Sequence, residues 1–268
     1  MTAFEVRSDG VVLRGDDDGE GAPLVLLHGL TATRRYVVMG SRSLERSGHR
    51  VIAFDARGHG TSDPAPGYGY AALAADLGAV LDARGLERVV LAGASMGAHT
   101  LLRYAIDHLD RVAAIGVVTP AFDPEDDAGT DLDRWDALAH GLRTGGVEGF
   151  VAAYGEPGVP QQWHDTVFRV IRQRLAGHEH PQAVADALEQ VPRSRPFEAW
   201  AQLRALRVPA VVVASRDDAD PGHPYAVAER YAQELPDARL VSEEPGASPL
   251  AWQGGQLSRV LAELAARA

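Results

Sequence analysis

Short, continuous apolar runs bounded by turn residues recur along this chain, and they restrict the folds open to it more than any other feature. Pro23-Leu24-Val25-Leu26-Leu27, Arg50–Phe54, Arg88–Ala92, Val112–Val118 and Ala210–Ala214 all have the form a strand buried on both faces needs. Between them lie helical stripes. Leu73, Leu77, Val80 and Leu81 share one face of a helix that Arg84-Gly85 would end, and Leu101, Leu102, Ala105, Ile106 and Leu109 repeat the pattern. Leu257, Val260, Leu261 and Leu264 form a third stripe at the C-terminal end. Strands alternating with helices predict right-handed crossovers and a mostly parallel sheet, an α/β fold. Phe4–Arg7 and Val11–Arg14 around Ser8-Asp9-Gly10 predict an antiparallel hairpin at one edge. The following Asp16-Asp17-Asp18 reads as a solvated turn rather than a metal site.

From Thr119 to about Leu206 the alternation stops. This stretch carries Trp135, Trp163 and Trp200 and four histidines without a convincing buried strand. It is expected to be a helical insertion between two core strands, with the tryptophans in its own core. The division is then 1–119 and 207–268 for the core and 120–206 for the insertion.

Composition removes several chemistries. There is no cysteine, so disulfides, thiol nucleophiles and Cys-ligated metals are excluded. Every one of the 26 basic residues is arginine, which removes lysine as nucleophile or Schiff-base former, and the absence of lysine and asparagine fits a GC-rich bacterial genome. A net charge of −11 disfavours nucleic acid and anionic membranes as partners. With no signal-peptide pattern and no apolar stretch of about 18 residues, a cytoplasmic, soluble protein is expected. No metal or cofactor motif is present, so the expected partner is a small-molecule substrate alone.

The chemistry concentrates in Gly93-Ala94-Ser95-Met96-Gly97, which follows the run Val89-Val90-Leu91 and precedes a helical stripe. A serine exposed at a tight strand-to-helix turn needs small residues two before and two after it. His28-Gly29-Leu30-Thr31 follows Leu24–Leu27, and the backbone amides of Leu30 and Met96 are positioned to cradle an oxyanion. Asp55-Ala56-Arg57-Gly58-His59-Gly60-Thr61-Ser62 follows the strand ending at Phe54.

With these motifs, essentially the whole chain resembles the α/β-hydrolase superfamily, in its serine-nucleophile branch with a helical cap. The resemblance implies an eight-stranded, mostly parallel sheet, Ser95 as nucleophile, Leu30 and Met96 as oxyanion-hole residues, and an apolar pocket bordered by His28 and Gly29. The family's acid follows the strand Ala210–Ala214, where the chain reads Ser215-Arg216-Asp217-Asp218-Ala219-Asp220-Pro221-Gly222-His223. Matched to the family's G-x-x-D pattern, the acid is Asp218, with Asp217 and Asp220 as alternatives.

One departure is plain. The family carries its histidine after the last strand, here Arg239–Ser242, and no histidine occurs beyond His223. Ser248 stands near the vacated position, at the pocket. A serine hydroxyl is a poor nucleophile at neutral pH without an adjacent base. His223, on the acid-bearing loop, is the first candidate for that base, ahead of His28, His59, His99, His140 and His164. His49, His108, His178 and His180 read as surface residues. The expected activity is hydrolysis of an ester, thioester or related acyl bond of a small apolar substrate, with a displaced base. The missing histidine keeps a second reading open, a lyase, cyclase or small-molecule binding protein that has left hydrolysis.

Overall fold

The computed structural model describes residues 2–126, 131–244, 252 and 254–268. Its strands are β1 (Thr2–Ser8), β2 (Val11–Asp18), β3 (Ala22–Leu27), β4 (His49–Phe54), β5 (Val89–Ala94), β6 (Val112–Val118), β7 (Ala210–Ala214) and β8 (Ala238–Ser242). The helices are α1 (Ser43–Arg46), α2 (Tyr70–Ala83), α3 (Met96–Asp107), α4 (Leu132–Tyr154), α5 (His164–Leu175), α6 (Pro181–Gln190), α7 (Tyr225–Glu234) and α8 (Gly254–Ala265). All eight strands form one sheet in the order β1-β2-β4-β3-β5-β6-β7-β8. Only the β1–β2 and β2–β4 pairs are antiparallel, so the front hairpin edges a parallel sheet as its alternating sequence requires.

Side chains alternate between two cores. Val25 and Leu27 of β3 join α2, α3 and α7 on one face, while Leu24 and Leu26 join Leu257, Leu261 and Leu264 of α8 on the other. Gly116 of β6 lets α8 approach closely, since a Cβ there would lie 2.9 Å from the Leu261 side chain. After β3 the chain winds to β4, then returns to β5 on the opposite side of β3. The carboxyl ends of β3 and β5 therefore flank the point where the strand order reverses, the place where open α/β sheets form their crevice.

No strand occurs among the described residues between β6 and β7; α4, α5 and α6 lie there instead. Their shared core includes Leu138, Leu142, Phe150, Leu175, Val184 and Leu188. Ala183, Ala187 and Val191 pack with Tyr68, Tyr70, Leu73 and Met96, which seats the helices above the sheet's carboxyl edge. Trp135 packs on the helical core, but Trp200 does not. It is buried with Phe197, Leu203 and Tyr231 in the sheet-face core, because the 3-10 turn Trp200–Ala205 has already rejoined the sheet.

The acidic run also differs from the expected solvated turn. Asp16, Asp17 and Asp18 end β2, and Asp17 is buried where it accepts from Arg50 and Arg84. Arg34 and Arg42 pair with Asp16 and Asp18. Arginines distant in sequence supply the partners, which a local reading of three aspartates does not contain. Among the described residues no helix is long and apolar enough to cross a membrane.

Candidate active site

Ser95 follows β5 directly and caps α3, with φ 49° and ψ −112°. A non-glycine residue is rarely found there, and such strain persists only where the surroundings enforce it. The flanking glycines show how. A Cβ on Gly93 would lie 2.4 Å from backbone atoms of Gly97, and one on Gly97 would lie 2.2 Å from the Leu27 carbonyl oxygen. Neither position tolerates a side chain, so the elbow is closed by backbone against backbone.

The same closeness brings in the loop after β3. A Cβ on Gly29 would lie 3.5 Å from the Ser95 Cβ, so His28-Gly29-Leu30 runs along the elbow. Met96 is the first residue of α3, where the amide has no partner within the helix. Leu30 bridges the helical core and the cluster around Met96.

The loop after β7 completes the constellation. His223 Nε2 lies 3.0 Å from Ser95 Oγ, and His223 Nδ1 lies 2.8 Å from an Asp220 carboxylate oxygen. With Nδ1–H donating to Asp220, Nε2 is left to accept from the Ser95 hydroxyl. Burial pushes the Asp220 carboxyl up, but the charge and hydrogen bond of His223 outweigh it and hold the acid below its usual range.

The carboxylate behind His223 is thus Asp220, where the sequence pattern pointed to Asp218. The reason is local geometry. His223 N donates to the Asp220 carbonyl, so the two residues stand one turn apart with side chains on the same side. Asp218 is two residues out of that phase and is exposed, while Asp217 accepts from the amide of Tyr225 at the start of α7. Ser248, expected near the pocket, lies outside the described residues. Of the described residues that flank it, Glu243 accepts from Arg216 N after β7, and the Trp252 indole donates to the Ala214 carbonyl at the end of β7.

His28, His99 and His178 have both ring nitrogens committed elsewhere. His28 donates from Nδ1 to its neighbour's carbonyl at Gly29 and accepts at Nε2 from Ala56 N, which leaves no lone pair for a serine. His99, one turn after Ser95, accepts at Nε2 from Ala121 N and Phe122 N and pairs with the Tyr70 hydroxyl through Nδ1. His59 is fully buried and donates to the Arg57 carbonyl. His178 is not a surface residue as its sequence context implied. It accepts from Gly60 N and donates to the Thr31 carbonyl, stitching the helical segment to two core loops.

Burial lowers the pKa of all four: His99 to about 3, His178 to about 4, and His28 and His59 below the usual imidazole range. A stability consequence follows. The unfolded chain takes up a proton on each of these histidines near pH 6.5, while the folded chain resists it. Stability is therefore fully present above that pH and is lost as the pH falls. For His99 the loss between pH 6.5 and 5 is about 2 kcal/mol. Urea unfolding at pH 7.5 and pH 5 should show His99→Gln with the shallower pH dependence; equal slopes would contradict the assignment.

Comparison with known proteins bears on the fold and the family. The model of a family described as alpha/beta hydrolase fold matches residues 22–169. RutD of Variovorax paradoxus (strain S110), a candidate carbamate hydrolase by name, is 30% identical over 231 residues, 85% of this chain and 84% of that protein. This chain belongs to the alpha/beta hydrolase fold family. Family members also include the AB hydrolase superfamily protein YisY of Bacillus subtilis (strain 168), 36% identical over 127 residues, where the match covers 46% of this chain and about half (47%) of YisY. Among solved alpha/beta hydrolase structures, an esterase from Exiguobacterium antarcticum superposes with a TM-score of 0.81 at 20% identity, covering 98% of each chain, which is a likeness of fold.

One residue that contacts the loop after β3 had no sequence signal. Arg174, in the last turn of α5, donates to the Leu30 carbonyl and to Thr31 Oγ1. It lies 144 residues from Leu30, and nothing in a basic helix segment marks one arginine as the one that turns inward.

Proposed function

We propose that this protein is a serine hydrolase that cleaves an ester, thioester or related acyl bond of a small substrate through Ser95. The observation that carries this reading is His223 Nε2 at 3.0 Å from Ser95 Oγ with Asp220 behind the imidazole. His223 takes the Ser95 hydroxyl proton as Oγ bonds to the carbonyl carbon, and the amides of Leu30 and Met96 hold the resulting oxyanion. The imidazolium returns its proton to the departing alcohol or thiol, leaving an acyl-enzyme. Water then repeats the sequence, with His223 again the base, and releases the carboxylic acid. Asp220 orients the imidazole and stabilises its charged form without taking the proton.

The helices α4, α5 and α6 act as a cap over this site and shape the pocket. Esterases and a carbamate hydrolase candidate among the relatives are consistent with acyl chemistry of this kind. Intact-mass analysis after treatment with a fluorophosphonate probe tests the reading. One adduct is expected on the wild type and none on Ser95→Ala. No adduct on folded wild-type protein, under conditions that label a control hydrolase, would overturn it in favour of a non-hydrolytic ligand-binding role.

A further inference from the structure

Several arginines that enter the interior of this chain are matched by carboxylates. Arg57 pairs with Asp76, Arg50 and Arg84 with Asp17, and Arg34 with Asp16 and Asp55. Arg174 has no ion-pair partner among the described residues. Its Nη2 donates to the Leu30 carbonyl and to Thr31 Oγ1, each at 2.9 Å. Its Nε is buried without an acceptor, and Nη1 has none among the described residues. Nη2 uses both of its N–H donors, and the buried Nε–H is left without an acceptor, where an unpaired donor is costly.

Other polar groups act on this guanidinium. Burial pushes its pKa down, while the hydroxyl groups of Tyr154 and Tyr36 and the carboxylate of Asp220 push it up. Asp220 is engaged by His223 and is not an ion-pair partner of Arg174. Leu30, whose carbonyl Arg174 holds, carries the amide proposed for the oxyanion. The loop after α4 closes this side: a Cβ on Gly158 would lie 2.9 Å from Pro221, between Asp220 and His223. A cation with no ion-pair partner among the described residues is thus anchored through Nη2 to the loop that carries the amide proposed for the oxyanion.

We infer that Arg174 is an anion subsite, and that the substrate carries a carboxylate which Arg174 binds while its acyl carbonyl is presented to Ser95. This rests on the reading of Ser95 as nucleophile and narrows it to carboxylate-bearing esters or lactones. A guanidinium held at Nη2 presents its remaining donors in a fixed plane, which suits a carboxylate better than a neutral polar group.

The test compares monomethyl esters of linear dicarboxylic acids with methyl esters of monocarboxylic acids of equal carbon number. Wild-type enzyme should favour the charged member of at least one pair by tenfold or more in kcat/KM. Arg174→Gln should bring that ratio to about one, and Arg174→Lys should restore part of it. A ratio near one throughout the wild-type series overturns the inference, as does an Arg174→Gln variant that lowers both members equally, the behaviour of a structural strut. Calorimetric titration of Ser95→Ala with the monomethyl dicarboxylates separates the two levels. Binding there that Arg174→Gln abolishes, without turnover by wild type, defeats the hydrolase reading and keeps the subsite; no binding defeats the subsite whatever the turnover.

Discussion

Replacing His223 by alanine is expected to lower kcat for any ester the protein turns over by about 10⁴–10⁶-fold. The size follows from the absence of a second base. Without Nε2 to accept the proton, Ser95 must attack as a neutral hydroxyl. The two nearest alternatives are unable to replace it: His28 spends its lone pair on Ala56 N, and His99 spends its own on the amides after β6. Because Ser95 and His223 act as a unit, the double replacement Ser95→Ala with His223→Ala should be no slower than either single one. The fold should survive. The side chain of His223 is 26% exposed and, among the described residues, its hydrogen bonds run to Ser95 and Asp220. Initial rates on a neutral aryl ester, with circular dichroism as the fold control, check this. A loss below tenfold in a folded variant would falsify the assignment of His223 as base.

Where the fold rests on local periodicity it was legible in the residues. Leu24–Leu27 and Val112–Val118 must be buried on both faces, and the stripes in α2, α3 and α8 must each face a sheet. The elbow was legible for a different reason. Gly93 and Gly97 are required by contacts with backbone, so the sequence carries a constraint that only that turn imposes. What stayed hidden depends on residues far apart. Asp17 looks solvated until Arg50 and Arg84 are brought to it, and His178 looks superficial until Gly60 and Thr31 meet it. Arg174 belongs with them, since its neighbours lie across the chain in the loop after β3. In a helix as basic as α5, spacing does not separate the arginine that turns inward from Arg169 or Arg172.

The choice between Asp218 and Asp220 was open in the sequence for a subtler reason, and its test carries the second large effect. A family pattern counts residues from the end of β7, which assumes that the histidine arrives from elsewhere. Here the imidazole comes from the same loop, so the spacing that matters is from acid to histidine. One helical turn satisfies it at Asp220 and His223, whereas the five-residue spacing from Asp218 does not. Asp220→Asn is therefore expected to lower kcat by about 10²–10⁴-fold. The amide would offer N–H to Nδ1 and favour the tautomer with hydrogen on Nε2, which cannot accept from Ser95. It would also remove the charge that stabilises the imidazolium. Asp218→Asn, at an exposed position, should stay within about threefold of wild type, since substitutions remote from the reacting groups cost little. Steady-state kinetics on one neutral ester with both variants decides it. The reverse ranking would return the acid to Asp218 and require the loop after β7 to rearrange when substrate binds. A small effect from both would mean that His223 works without a carboxylate. The kinetic order of the two aspartates thus reports directly on whether acid and base have been gathered into a single loop, which would let the segment after β8 do without the histidine that the family resemblance implies there.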